Sequence, residues 1–290
     1  MHRAILFSLS FVAVSLTPSW GAFETLGQSS RASAMSDAVI AQGEGADVLW
    51  YNPAGLAGEG TRQVVVDYAR LYPGLDVGPD INSWSLSYVQ GLAGGDLGVG
   101  IAGLGAGFYT ENALGIGYGR SMGEKLDVGL GVRMLRWAAD GYRDPETGVQ
   151  DEDGSGLKPG FDLGLRYDLL TIEEGMLVLG ISGLHLNEPD TPRRLLLGVG
   201  YDHPLYLAEV DLELVDGDRR VRVGGEYKLG GHYDLRLRAG ASGIAGDGAA
   251  GEVDGGIGFL MGSLMFNYSY HYSSEISTGA NQRLSLGYQF

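Results

Sequence analysis

From about residue 62 to the C-terminus, apolar and polar positions alternate with a period of two, the pattern of strands that turn one face to an apolar surrounding and the other to water. In 264–272 one face carries Leu264, Phe266, Tyr268, Tyr270 and Tyr272, and the other Met265, Asn267, Ser269 and His271. Near the end, Leu284, Leu286, Tyr288 and Phe290 oppose Arg283, Ser285, Gly287 and Gln289. The same rule sets Val221, Val223, Tyr227 and Leu229 against Arg222, Gly224, Glu226 and Lys228, then Tyr233, Leu235, Leu237 and Ala239 against Asp234, Arg236, Arg238 and Gly240. These apolar faces hold no charge.

About fourteen such segments follow one another. Their cores fall near 63–70, 83–89, 97–104, 113–119, 126–137, 161–168, 176–184, 195–201, 206–214, 221–229, 233–241, 252–260, 264–272 and 283–290. An even number suits a closed barrel whose two chain ends lie on one side. Short turns at 91–95, 121–125, 202–205, 230–232 and 261–263 are expected on the periplasmic side, with longer connections outside. The longest, 138–160, is acidic at Asp140, Asp144, Glu146, Asp151, Glu152 and Asp153.

Alternation does not by itself separate a membrane barrel from a water-soluble sandwich. Three features favour the membrane: an export signal, tyrosines at the ends of the apolar faces, and opposite faces built from Gly and charges of both signs. The uncharged stretch 255–274 is broken by Gly, Ser and Asn and reads as a hairpin about Gly262-Ser263, not as a spanning helix. Without a spanning helix, the way to satisfy every backbone group inside a bilayer is a closed sheet. The expected fold is therefore all-β, a transmembrane antiparallel β-barrel.

The first residues have the makeup of a signal peptide, 1–21, with a basic head at Arg3, an apolar run over 4–16 and small residues before a cut after Gly21 or Ala22. The apolar run is too short to cross a core of about 30 Å as a helix. The mature chain is expected to reach the outer membrane and to sit in outer-membrane lipid. Gly supplies 50 of 290 residues and Pro 9, with no three-residue period, which excludes a collagen and a Pro-rich disordered polymer. The net charge of −16 makes a nucleic-acid partner improbable. The absence of Cys removes disulfides, Cys-bound zinc and thiol chemistry.

Residues 22–61 break the strand pattern, which leaves 62–290 for the barrel. Small residues over 28–40 predict a short helix ended near Gly43 and Gly45. There follows Asp47-Val48-Leu49-Trp50-Tyr51-Asn52-Pro53-Ala54-Gly55-Leu56-Ala57. The helix-like segment with LWYNPAGLA resembles the N-terminal region of the PorV/PorQ family within the FadL-type outer-membrane proteins. Strand texts such as Gly160-Phe161-Asp162-Leu163-Gly164 and Val223-Gly224-Gly225-Glu226-Tyr227 are also similar to that family, in the family's order. The stretch 182–187 departs from it, because Gly183-Leu184-His185 intervenes before Asn187.

The resemblance implies a fourteen-stranded barrel with a short helical hatch in its lumen, and a hatch motif at Asp47, Trp50, Tyr51, Asn52, Pro53, Ala54 and Gly55. It also implies that the terminal aromatics Tyr288 and Phe290 are an assembly signal read by the barrel assembly machinery. Two activities follow from it: passage of hydrophobic or small solutes, with a hydrophobic ligand as partner, or carriage and attachment of exported proteins in type IX secretion. Seventeen Arg against 3 Lys, with abundant Gly and Ala, points to a GC-rich genome outside the group where that secretion system is usual, and ranks transport first.

The inner faces hold the remaining chemistry. Glu209, Asp211 and Glu213 project from one strand, Arg222, Glu226 and Lys228 from the next, and Asp234, Arg236 and Arg238 from a third. With strands about 4.8 Å apart, these rows are expected to line the lumen and pair with one another, Asp211 with Arg222. Catalytic patterns are weak. Gly98-Val99-Gly100-Ile101-Ala102-Gly103 matches a dinucleotide fingerprint with no helix after it. Asp151 to Gly156 begins a calcium loop without its remaining ligands, and the five His lack zinc spacing. Asn267, Ser269 and His271 share one face, but no oxyanion donor can be assigned beside them. No enzyme, cofactor or metal is expected.

Overall fold

The computed structural model describes residues 23, 26–58, 60, 62–74, 80–92, 94–141, 154–189, 191–230, 233–244, 251–273 and 280–290. The signal peptide, most of the acidic connection and the calcium-like loop start lie outside them. Fourteen strands form a closed antiparallel barrel: β1 Gln63–Leu71, β2 Ile81–Leu92, β3 Gly95–Ala106, β4 Tyr109–Ser121, β5 Leu126–Ala139, β6 Gly154–Ile172, β7 Gly175–Leu184, β8 Arg194–Asp202, β9 Tyr206–Val215, β10 Asp218–Gly230, β11 Leu235–Ile244, β12 Gly251–Met261, β13 Leu264–Ser273 and β14 Asn281–Gln289. Each strand pairs with its sequence neighbours, and β1 closes the ring on β14 with Val65 opposite Gly287 and Asp67 opposite Ser285. Closure leaves no unpaired sheet edge.

The period of two decides the facing. Val66, Ile116, Leu130, Val199, Val210, Val223, Leu237 and Leu286 stand exposed on the outside, while their sequence neighbours turn inward. No helix among the described residues is long and apolar enough to cross a membrane, a statement that leaves strands untouched.

Connections at the end carrying both chain ends are short: 93–94, 122–125, 173–174, 203–205, 231–234 and 262–263. The opposite, far end carries the longer ones, with two departures from the expected lengths at 107–108 and 216–217. The second is a tight hairpin. Asp216 and Gly217 take φ of 47° and 92°, the left-handed pair whose twist matches the flanking strands, and Asp-Gly is the sequence suited to it. A second correction concerns 233–241. Tyr233 and Asp234 lie in the turn, Asp234 at φ 36°, and β11 starts only at Leu235.

Inside the ring runs residues 26–58. The expected helix over 28–40 is reduced to α1, Ser30–Ser33, because Ser36 and Asp37 take positive φ of 54° and 58° and reverse the chain. The backbone donors that a longer helix would satisfy internally go to carboxylates of the barrel wall. Two 3₁₀ turns follow, Ala46–Trp50 and Pro53–Leu56. The buried apolar core lies inside the barrel, where Val48, Leu49, Trp50 and Leu56 meet Val65, Val89, Ala102, Ala113 and Leu135 of the wall.

Candidate functional site

The site is the lumen and the chain folded into it. Ser29 caps α1 through its Oγ, which accepts from Ala32 N at 3.2 Å, and Asp67 of β1 accepts from Ser30 N at 2.8 Å. Arg283 of β14 donates to the Gln28 carbonyl at 2.9 Å, and Ser36 donates to Asp254 of β12. Two wall carboxylates then take four successive backbone N–H groups. Asp211 accepts from Val39 at 3.0 Å and Ile40 at 3.2 Å, and Glu209 accepts from Ala41 at 2.6 Å and Gln42 at 3.0 Å. Hydrogen bonds inside a wall closed to water are strong, so this stretch is fixed along its backbone, with Val39 and Ile40 packed against Leu207, Leu184 and Leu196 of the wall besides.

The second half is held by shape. Asn52, 1% exposed, donates to the carbonyls of Ile40 (2.7 Å) and Leu165 (3.3 Å) and accepts from Ala54 N (3.1 Å), which caps the following 3₁₀ turn. Proline at the first position of that turn has no N–H to leave unpaired. Pro53 and Ala54 press on Gly129 and Gly164 so closely that a Cβ at either glycine would collide with them. Trp50 donates to Ser87 at 2.9 Å and lies under the Arg133 guanidinium, 5.3 Å from its ring centroid. Arg133 also donates to the Trp50 carbonyl at 3.0 Å and pairs with Asp162 at 2.5 Å. Tyr51 accepts from Ser29 N at 3.0 Å and donates to Asp37 at 3.1 Å. Burial, with Asp37 beside it, pushes the Tyr51 hydroxyl well above its usual range, so it remains a donor. Asp47 and Gly55 complete the stretch, Asp47 half-buried at the near end and Gly55 against Val48.

The predicted charge rows all point into or toward the lumen, but their pairing differs from the expectation. Arg222 lies directly opposite Asp211 in register, yet its guanidinium goes to Glu213 at 2.5 Å, which Arg194 shares at 2.6 Å. Asp211 is occupied by the inner segment. Glu226 binds Arg238 at 2.6 Å and sits 3.7 Å from Arg31 of α1, tying wall to segment. Arg236 reaches Asp234 (2.8 Å), Glu44 (3.3 Å) and Glu226 (3.5 Å), and Lys228 pairs with Asp202 near the rim. His271 bonds Asp254 at 2.6 Å, and Ser269 makes no hydrogen bond among the described residues, so the two do not form a hydroxyl–imidazole pair. Tyr288 and Phe290 stand outward, edge to face at 4.9 Å. Among the described residues no group of three His, Asp or Glu is placed to hold a metal.

Sequence reading gave no site role to Asp67, Asp162, Asp254, Arg133 and Arg283, although it set Arg283 on a polar face. All five sit at inward positions of alternating strands, which was a usable signal. His185 was also missed, in the loop after β7, where it donates its N–H to Asp162 at 2.9 Å while its Nδ1 has no partner among the described residues. Burial, then Arg133 and Arg194, pulls its pKa down to about 2 from 6.5. The folded state therefore keeps it neutral, and the stability it permits is present above pH 6.5 and drains away as the pH falls below that value toward 2. His185→Gln is expected to flatten the loss of stability between pH 6.5 and 5, by a slope that rises toward about 1.4 kcal/mol per pH unit at the lower end, measured by urea unfolding in lipid vesicles. Identical slopes in the two proteins would refute a buried neutral imidazole.

Two cavities are lined by the described residues. One of about 340 Å³ lies toward the far end and reaches Leu71, Tyr72, Val215 and Asn281; the other, about 220 Å³, lies toward the near end and reaches Gln63, Leu260 and Gln289. Ser33 faces the first and Arg31 the second, so both cavities reach the short helix α1.

No protein-family model matches the sequence, and no curated protein matches it. Solved structures do. The chain is similar to the CymD monoaromatic hydrocarbon channel with a TM-score of 0.62 at 14% identity, covering 89% of this chain and 96% of that one. A Pseudomonas aeruginosa FadL homologue matches with TM-score 0.61 at 12% identity, over 91% and 98% of the two chains. The Ralstonia pickettii toluene transporter TbuX matches with TM-score 0.57 at 13% identity, over 88% and 97%. At these identities the likeness is one of fold alone.

Proposed function

We propose that this chain is an outer-membrane barrel of FadL type that lets small solutes through its lumen, with residues 22–61 as the hatch. The observation that carries this is the pair of cavities, one toward each end of the barrel, both reaching α1, which lies along the wall made by β12, β13 and β14. The apolar exterior fits lipid, and the leading basic-apolar segment fits export to that membrane. Similar structures are named as hydrocarbon and toluene transporters, which supports passage as the class of activity.

The PorV/PorQ resemblance rests on LWYNPAGLA, and in this chain those residues are packed inward: Asn52, Ala54 and Leu56 are buried against the wall. They present nothing to an exported protein, which favours a plug over a docking element for secreted cargo.

Deleting residues 23–58 is expected to leave a folded barrel with a larger single-channel conductance in planar bilayers. Equal conductance with and without the segment would place it outside the conducting path and remove the reading.

A further inference from the structure

The far cavity has a polar wall and a basic lobe. Its apolar lining is confined to Ala69, Leu71, Val215 and the ring of Tyr72. Arg219, Arg220 and Arg222 reach it from one strand, β10, and Arg194 from β8. Glu213 is bridged by Arg194 and Arg222 together, so one carboxylate answers two guanidiniums. Arg219 and Arg220 form no close salt bridge or hydrogen bond among the described residues, although Arg220 stands opposite Glu213 in register. The acids across the cavity are engaged: Asp254 by His271 and Ser36, Glu252 by Ser242, Asp37 by Gln28 and Tyr51. This lobe sets four Arg against Glu213 and Asp218, an excess of two positive charges, while over the whole lining five Arg meet five Asp and Glu.

A planar guanidinium offers paired N–H donors matched to a carboxylate or phosphate, and rows of Arg are how pores favour anions. A hydrocarbon gains nothing here, since it would displace water from charged groups and return no hydrogen bond. We propose that the far cavity is a binding site for a small, water-soluble organic anion, a carboxylate or a phosphate ester, held by the guanidiniums of Arg219, Arg220 and Arg222. The volume of about 340 Å³ suits a metabolite-sized ligand. The inference deepens the transport reading and rests on it for the anion's onward passage; binding itself does not need it.

The test uses the full-length barrel in detergent and equilibrium dialysis against labelled succinate, orthophosphate and octanoate, each alone. Succinate or orthophosphate is expected to bind better than octanoate, and the pair of arms tells carboxylate from phosphate recognition. In Arg219→Gln/Arg220→Gln the better-bound anion is expected to lose at least about ten-fold in affinity, from two charge-assisted contacts removed. Arg193→Gln, in a far-end loop where Arg193 pairs with Glu188, should leave binding unchanged. Should the double variant not fold, the wild-type ranking still decides: no binding of succinate or orthophosphate, or tighter binding of octanoate, overturns the proposal, as does equal binding by a folded double variant. A planar-bilayer measurement of reversal potential in a potassium succinate gradient separates the two readings. Binding with no conductance refutes passage and leaves the site standing, whereas conductance with no binding does the reverse.

Discussion

Glu209→Ala/Asp211→Ala is expected to release the inner segment around residues 38–42 while the barrel stays closed. The two carboxylates accept from Val39, Ile40, Ala41 and Gln42, and both are essentially inaccessible to water. Removing them leaves four buried N–H donors without acceptors, at about 1–3 kcal/mol for each. That exceeds what the neighbouring contacts of Ile40 with Leu184 and Leu196 return, so the segment should detach locally before the wall unfolds. Thermolysin cleavage within residues 36–44 of the vesicle-inserted protein measures this directly, with a larger bilayer conductance expected alongside. Asp211→Asn alone should be mild, since an amide oxygen can still serve Val39 and Ile40. Full protection of the Ala/Ala variant would show that packing, not backbone capture, holds the segment.

Val210→Arg, between those same two residues, is expected to cost about 2–4 kcal/mol, the range for a cationic side chain on the lipid face near the bilayer midplane. Val210 is 49% exposed and pairs with Val199 on one side and Val223 on the other, in the middle of its strand. Folding into lipid vesicles across a urea series reads the effect. A neutral result would mean that this face does not meet lipid, and the barrel would then be reassigned to water. By contrast, exchanging Asp211 and Arg222 should not restore what each single reversal loses, although the two are opposite in register. Their partners are Val39 and Ile40 for one and Glu213 for the other, so an arginine at 211 would meet backbone donors with another donor.

The inner glycines show how far a sequence reading reaches. Gly98, Gly117, Gly129, Gly164, Gly180 and Gly240 all occupy inward strand positions, and their placement follows from parity alone. Their purpose does not. In isolation they read as weak spots in strands, yet in the folded chain each is where the inner segment approaches: Leu56 at Gly98, Leu49 at Gly117, Pro53 at Gly129, Asn52 at Gly164, Ile40 at Gly180 and Met35 at Gly240. The partner lies up to hundreds of residues away, and no local pattern encodes that meeting.

The sequence by itself determined a succession of about fourteen strands, the facing of their residues and the break before residue 62, because a period of two is a property of neighbouring residues and survives any tertiary arrangement; that the sheet closes on itself is a property of the folded ring. Tertiary structure alone decided which charges pair, how short the inner helix is, and where the cavities lie. Side chains such as Asp211 and Arg222 had several partners within reach of one register, and the choice fell to whichever backbone donor or carboxylate the folded segment brought alongside. Inside a wall where water cannot stand in for a missing partner, that choice is made by the whole ring at once.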